Sequence, residues 1–153
     1  MSGEPWLILP TYNEAENLEA IVRASGEVLE QAEPGGFRVL VVDDGSPDGT
    51  GEIADRLARE HDWVRVLHRA EKGGIGPAYL AGFRHALDGG AGYLMEMDSD
   101  FSHDPRDLAR LLAAVHAGAD LALGSRSRQA AGARGERPPH ALGYPDPCPV
   151  SRG

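Results

Sequence analysis

Asp98 and Asp100 stand two positions apart, directly after an apolar run at residues 93–95. Carboxylate oxygens are hard ligands that suit Mg²⁺ or Mn²⁺, and these ions commonly take one or two carboxylates together with substrate phosphates. A place at the end of a strand favours this metal-binding interpretation over a chance pair of surface acids. A calcium-binding EF-hand is excluded, because that loop needs Gly and Glu where this chain has His103 and Ala109.

A second acidic pair, Asp43 and Asp44, follows the continuous apolar run at residues 39–42. One interpretation is that Asp44 caps the turn at residues 46–50, since aspartate side chains often bond to the backbone of their own turn. Asp43 is harder to explain in that way. A carboxylate at the end of a parallel strand accepts hydrogen bonds from a nucleoside in dinucleotide-binding folds, and Asp43 is a candidate for that contact.

Two common phosphate-binding motifs are missing from the sequence. The dinucleotide fingerprint should follow the first strand, where the chain has Pro-Thr-Tyr-Asn at residues 10–13. The later glycine loop at residues 73–76 lacks its spacing, and no P-loop sequence occurs anywhere. Lys72, the only lysine, stands beside that glycine loop and permits a phosphate contact. His103 is either a metal ligand or a group that orients its own loop.

Apolar runs and helical spacings alternate along residues 1–126. Strands are predicted at residues 6–9, 39–42, 64–67, 93–97 and 120–123, with the first stopping at Pro10. The intervening helices are predicted after a capping box of Thr11 and Glu14, over residues 50–60, from Pro77 onward, and from Asp104 and Pro105 onward. This alternation predicts an α/β fold with a mostly parallel, Rossmann-like sheet and helices on both faces. Such sheets bind ligands at the carboxyl ends of their strands, where the polar groups lie.

Charge and composition divide the chain into two parts. The 153 residues carry a net charge of −9, with 22 acidic and 11 basic side chains in residues 1–126. This acidity argues against a nucleic-acid surface. Cys148 is the only cysteine, and no secretory signal or membrane span is evident, so the expected compartment is the cytoplasm. The Pro- and Gly-rich tail, residues 127–153, lacks periodicity and is predicted to be irregular.

Five motifs together form a recognisable set. They are Pro-Thr-Tyr-Asn-Glu at residues 10–14, Asp-Asp-Gly-Ser-Pro-Asp-Gly-Thr at 43–50, the glycine loop at 72–79, Asp-Ser-Asp-Phe-Ser-His at 98–103, and Gly-Ser-Arg at 124–126. Their order and content resemble those of the dolichyl-phosphate (polyprenyl-phosphate) mannosyltransferases of glycosyltransferase family 2. The resemblance covers about residues 6–126 and implies a GT-A fold.

The resemblance also implies a reaction and its participants. Mannose would move from GDP-mannose to a polyprenyl phosphate with inversion, assisted by Mg²⁺ or Mn²⁺. By motif, the guanosine would be held by Pro10, Tyr12, Glu14, Val41 and Asp43. The nucleotide sugar would contact Asp98, Ser99 and Asp100, the metal would bind Asp100 and Ser102, and Arg126 would contact a phosphate near the transfer point. Asp100 and Arg126 are therefore the predicted catalytic residues.

The lipid acceptor implies peripheral contact with the cytoplasmic face of a membrane, which an integral-membrane partner or a further C-terminal segment would strengthen. After Arg126 the family pattern stops, and we interpret residues 127–153 as a truncated or out-of-frame reading. Three alternatives follow: a family 2 transferase for another sugar such as glucose, an inactive donor-binding fragment without the acceptor site, and a generic nucleotide-binding module.

Overall fold

The structure, a computed structural model, describes residues 3–70 and 72–124. Strands and helices alternate strictly along these residues. In chain order they are β1 (Pro5–Thr11), α1 (Leu18–Ala32), β2 (Arg38–Asp43), α2 (Thr50–Glu60), β3 (Val64–His68), α3 (Ile75–Asp88), β4 (Tyr93–Glu96) and α4 (Asp107–His116). The strands form one parallel sheet in the order β3-β2-β1-β4. The predicted α/β fold with a parallel sheet is confirmed.

The sheet order places β1 in the interior, paired with β2 on one side and β4 on the other. The chain moves outward from β1 to β3 and then crosses to the far side for β4. A sheet of this kind has a crevice at the point where the direction of winding reverses, outside the carboxyl ends of the strands. The crevice therefore lies between the loops that follow β1 and β4.

The core forms on both faces of the sheet because β1 and β2 are apolar at nearly every position. Alternate side chains such as Leu7 and Val41 pack with α1, α2 and α4 on one face. Ile8 and Val42, whose side chains point the other way, pack with α3. Leu7, Ile8, Val41 and Val42 are fully buried, which explains why the sequence shows continuous apolar runs rather than alternation.

Pro10 does not stop the first strand, as the sequence suggested, but lies within it opposite Val42. The carbonyl of Thr11 accepts from Asp44 on the β2 side, and that of Ile8 accepts from Met97 on the β4 side. Pro10 shares the orientation of Ile8, so its missing N–H faces β4. The pairing with β4 has already ended there at Ile8, so the proline costs no ladder hydrogen bond.

Three helix starts also differ from prediction, and one of them is α4, which begins at Asp107 rather than at Asp104 and Pro105. The capping box of Thr11 and Glu14 is wrong: Thr11 belongs to β1 and donates its hydroxyl to the carbonyl of Val42, while α1 begins only at Leu18. Helix α3 begins at Ile75, so that Pro77 is its third residue rather than its first. A proline is still tolerated there, because the first N–H groups of a helix have no intrahelical partner.

The predicted strand at residues 120–123 is not formed. These residues pair with no strand in the part of the chain that the structure describes. Leu121 and Leu123 are about three-quarters exposed. A strand needs a neighbour for its backbone groups, and a short apolar run does not supply one. The expectations for residues 127–153, for Arg126 and for Cys148 lie outside the described residues.

Glycine at position 82 permits the close approach of α3 to the sheet, and we predict that Gly82→Ala destabilises the fold. An added Cβ would lie 2.5 Å from Cγ2 of Ile8 and 3.1 Å from Cγ2 of Val42, both stiff β-branched side chains. The free energy of unfolding should fall by about 1–3 kcal/mol in urea titrations.

Gly76→Ala is the matched control on the same helix. No atom lies within 4 Å of a Cβ added at Gly76. Alanine should therefore keep or raise stability by up to about 1 kcal/mol, because it is the better helix former. Equal stability losses in the two variants would contradict close packing at Gly82.

Candidate active site

A cleft of about 260 Å³ opens at the carboxyl ends of β1 and β4. Loops from four connections contribute to its walls. The lining residues are Pro10, Thr11, Tyr12, Glu14, Asp44, Lys72, Gly74, Ile75, Ala78, Asp98, Ser99 and Asp100. Six of the ten predicted site residues thus come together here: Pro10, Tyr12, Glu14, Asp98, Ser99 and Asp100.

The remaining predicted site residues do not line this cleft. Val41 is fully buried in the core. Asp43 is 4% exposed and is not among the lining residues. Ser102 is exposed and adjoins Asp100, to whose carboxylate its backbone N–H donates over 2.9 Å. Arg126 lies outside the residues that the structure describes.

The two acids at the end of β2 hold different loops. Asp43 Oδ1 accepts from the hydroxyl of Ser46 at 2.6 Å and from its N–H at 3.3 Å. Asp44 accepts from the guanidinium of Arg69 at 2.6 Å and from the N–H of Gly73 at 3.0 Å. The prediction that Asp44 caps the turn at residues 46–50 is therefore wrong, since Asp43 bonds to that turn and Asp44 holds the loop before α3.

The loop after β4 presents its carboxylates in different environments. Asp98 accepts from the hydroxyl of Tyr79 at 3.1 Å, and its other oxygen lies 3.8 Å from Nδ1 of His103. Asp100 is exposed, and hydrogen bonds from Ser102 hold the pKa of its carboxyl below the usual value. Both oxygens of Asp98 thus face protein groups, while Asp100 presents an ionised carboxylate to the cleft.

Backbone geometry turns the loop after β4 sharply at Phe101. Its φ of 61° lies in the left-handed region, which an aromatic residue rarely adopts. The turn brings the N–H of Ser102 back to Asp100. At the start of the same loop, the hydroxyl of Ser99 donates to the carbonyl of Pro10 at 2.9 Å and joins the two sides of the cleft.

Lys72 lies across the cleft from the acidic loop. Its ammonium stands 3.9 Å from the centre of the Tyr12 ring, a cation–π contact. Both side chains line the cleft beside the glycines that precede α3. Lys72 therefore brings positive charge to a cleft that otherwise carries Glu14, Asp44 and the carboxylates of the β4 loop.

Sequence reasoning missed two residues of the site. Tyr79 ends the glycine-loop motif and has no predicted role, yet its hydroxyl donates to Asp98. A tyrosine one helical turn beyond a glycine loop was the available signal, because a buried phenol needs a polar partner. Arg69 directly follows β3 and pairs with Asp44, and nothing in its local sequence indicated this pairing.

A family model described as "Glycosyl transferase family 2" matches residues 6–147. That match covers most of the chain, and the parallel sheet with its acidic cleft at the strand ends agrees with it. The chain belongs to glycosyl transferase family 2, and its fold is of the GT-A type.

Particular relatives carry more specific names. The chain is 55% identical over 121 residues to a polyprenol monophosphomannose synthase of Mycolicibacterium smegmatis, covering 78% of this chain and 44% of that protein. It is 50% identical over 119 residues to an undecaprenyl-phosphate mannosyltransferase of Micrococcus luteus, covering 78% and 46%. The chain thus spans less than half the length of these relatives.

A solved structure also resembles the fold. It is a mannosyltransferase of Pyrobaculum calidifontis in complex with GDP-Man and Mn²⁺, with a TM-score of 0.60 and 27% identity. The similarity covers 73% of this chain and 32% of that one. Separately, no helix within residues 3–70 and 72–124 is long and apolar enough to cross a bilayer.

Tyr79 should remain protonated at a pH where ordinary tyrosines ionise. Burial, and then the neighbouring Asp98 carboxylate, raises the pKa of its hydroxyl far above the usual value. The usual tyrosine pKa is about 10. As the pH rises to about 11, the wild-type and Tyr79→Phe proteins should therefore show the same increase in phenolate absorbance. Circular dichroism of both proteins would confirm that they stay folded. An extra phenolate signal in the wild type would contradict the contact with Asp98.

His68 should make stability depend on pH near neutrality. Hydrogen bonding to Asp55 at 2.9 Å, and more weakly to Asp43, raises the pKa of the His68 imidazole above 6.5. A raised folded pKa adds stability that is complete below the unfolded value and is lost as pH rises through the folded value. The contribution should stay under about 1 kcal/mol, because His68 is half exposed.

Asp55→Asn should therefore lower the free energy of unfolding more at about pH 5.5 than at about pH 8.5. In a His68→Gln background the same substitution should have no pH-dependent effect, which a double-mutant cycle in urea would measure. A pH-independent loss in both backgrounds would show that the His68–Asp55 pair does not titrate as described.

Proposed function

We propose that this chain binds GDP-mannose in the cleft and transfers its mannose to a polyprenyl phosphate, with inversion at the sugar carbon. The observation that carries this proposal is the meeting of the Tyr12–Glu14 loop with the acidic loop of Asp98 and Asp100 at the winding reversal of the sheet. Family membership and the relatives' names support the choice of reaction.

Within this proposal, each side of the cleft takes one part of the donor. Pro10, Tyr12 and Glu14 would hold the guanosine together with Val41 and Asp43 of β2. Asp43 Oδ1 accepts from Ser46, while Oδ2 lies 3.6 Å from Nδ1 of His68 and is the oxygen that would accept from the nucleoside. The sugar and diphosphate would contact Asp98, Ser99 and Asp100. Arg126 would contact a phosphate near the point of sugar transfer.

A divalent cation, Mg²⁺ or Mn²⁺, fits the residues on the β4 loop. No group of three or more acidic, histidine or cysteine side chains forms a complete metal site within the described chain. An ion of this kind needs only one or two carboxylates when a substrate diphosphate supplies further oxygens. Asp100 is ionised and faces the cleft, and the hydroxyl of Ser102 is within the same turn. These two residues would hold the metal.

In the proposed reaction the protein positions the reactants and stabilises charge, and no general base is needed. The acceptor is a phosphate that is already ionised at neutral pH, so its oxygen attacks the mannose carbon directly. The bond from that carbon to the diphosphate breaks, and GDP leaves with the bonding electrons. The bound metal would neutralise charge on the leaving diphosphate. The chain's own residues hold donor and acceptor in line, which is the main source of acceleration in such transfers.

The acceptor lipid requires contact with a membrane, which we propose is peripheral and at its cytoplasmic face. A net charge of −9 opposes attraction to anionic lipids. An integral-membrane partner or a further C-terminal segment would supply a stronger attachment to the membrane.

Asp100→Asn should weaken binding of GDP-mannose by about tenfold or more in the presence of Mn²⁺, because it removes the charge that faces the metal and diphosphate. Isothermal titration calorimetry measures this directly. Asp88→Asn removes the same charge from an exposed position at the far end of α3 and should leave affinity unchanged.

Sugar and transfer are tested separately. The proposal expects binding of GDP-mannose in preference to UDP-glucose, and radiolabelled mannose should appear on added polyprenyl phosphate. Binding of UDP-glucose alone would overturn the mannosyl assignment. Donor binding without any transfer would identify the chain as a donor-binding fragment.

A further inference from the structure

The segment between β1 and α1 is held by three side chains from residues 46–50. Consecutive backbone N–H groups donate outward from this segment: Asn13 to Ser46 Oγ at 3.0 Å, Glu14 to Thr50 Oγ1 at 3.0 Å, and Ala15 to Asp48 Oδ2 at 3.1 Å. We call the acceptors Ser46, Asp48 and Thr50 the clasp. Ser46 and Asp48 lie in the connection between β2 and α2, and Thr50 is the first residue of α2. All three are more than thirty residues away from the segment in sequence.

Each hydroxyl of the clasp can only accept from the segment, because it donates its own hydrogen bond to a carboxylate. Ser46 donates to Asp43 Oδ1 at 2.6 Å, and Thr50 donates to Asp48 Oδ1 at 2.5 Å. A backbone N–H can only donate, so each hydroxyl must accept from the segment and direct its single proton to the acid. Chains of this kind strengthen each bond, because the terminal acceptor is charged.

The local sequence explains why three alternate residues reach the same segment. Gly45 and Gly49 have φ of 69° and 93°, in the left-handed region that glycine adopts without strain. These two turns keep the connection from extending as a strand. A Cβ at Gly45 would also stand 3.4 Å from the carbonyl oxygens of Arg69 and Ala70.

The clasp holds a backbone that would not keep this conformation alone. Asn13 has φ of 57°, also left-handed, and the N–H groups of residues 13–15 have no partners in a helix or strand. The adjoining residues Tyr12 and Glu14 line the cleft. Glu14 is oriented further by Asn17, whose side-chain amide donates to its carboxylate at 3.0 Å.

We propose that Ser46, Asp48 and Thr50 are positioning residues for the nucleoside half of the donor site, acting through the backbone of residues 13–15. This inference rests on the proposed function, since it assumes that Tyr12 and Glu14 contact the donor nucleoside. None of the three is among the residues that line the cleft. In the proposed function the metal and the diphosphate are held from the β4 loop, whereas the clasp bonds to the segment after β1, so the two halves of the site should respond separately.

The first arm of the test measures the clasp without any ligand. Amide exchange of the labelled full chain by NMR should show one accelerated amide for each variant. Thr50→Val should speed exchange at Glu14, and Ser46→Ala at Asn13, each by about five- to tenfold, the equivalent of one hydrogen bond. Thr50→Ser keeps the acceptor and should restore protection at Glu14. Leu57, within α2, serves as the reference amide.

The second arm measures ligand binding by calorimetry. Thr50→Val should lower the affinity for GDP by about five- to tenfold and leave the affinity for manganese pyrophosphate unchanged. Thr50→Ser should bind GDP with the wild-type affinity. A loss of both ligands would indicate general structural damage and would overturn the inference. An unchanged GDP affinity in Thr50→Val would also overturn the inference. The same holds if amide exchange speeds up uniformly across the chain, including at Leu57. A wild-type chain that binds no GDP would instead overturn the proposed function on which the inference rests.

Discussion

Two adjacent carboxylates at the end of β2 determine where the loops of the active-site edge lie. Successive side chains of a strand point to opposite faces, so Asp43 serves the face of α2 and Asp44 the face of α3. Asp43 holds the connection to α2 through Ser46. Asp44 holds the connection to α3 through Arg69 and Gly73. Both acids are almost fully buried, and such charges are tolerated only where donors or cations compensate them.

This arrangement links the loops into one preorganised edge. From Asp43 the hydrogen bonds continue through Ser46 to the segment after β1, and Ser99 joins the end of β1 to the loop after β4. A transfer reaction between two charged phosphates gains most from groups that are already in place, because no reorganisation is then needed as charge moves. The described cleft therefore depends on polar contacts between loops as much as on the core beneath it.

The sequence predicted the four strands of the sheet and six of the residues that line the cleft, because both rest on local patterns. Continuous apolar runs indicate buried parallel strands, and acids at their ends must lie at one edge. What it could not resolve was which acid faced which loop, since Asp43 and Asp44 differ only in the face they occupy. Pro10 within β1 depended on where β4 stops pairing. The role of Tyr79 depends on a contact with Asp98, which is distant in sequence. The apolar run at residues 120–123 forms no strand because it has no partner strand among the described residues, and a local pattern cannot show whether a partner exists.

The interior position of β1 has a consequence for how the chain folds. This strand is synthesised before both of its neighbours: β2 follows about 30 residues later, and β4 about 90 residues later. At ordinary rates of synthesis, the fully buried run at Leu7, Ile8 and Leu9 waits several seconds for its second neighbour. Pairings so distant in sequence also slow the closing of the sheet, because loop entropy is lost before contacts form. Until residue 96 has emerged, this apolar run therefore lacks its second neighbour, and apolar surface that is exposed in this way is prone to aggregation.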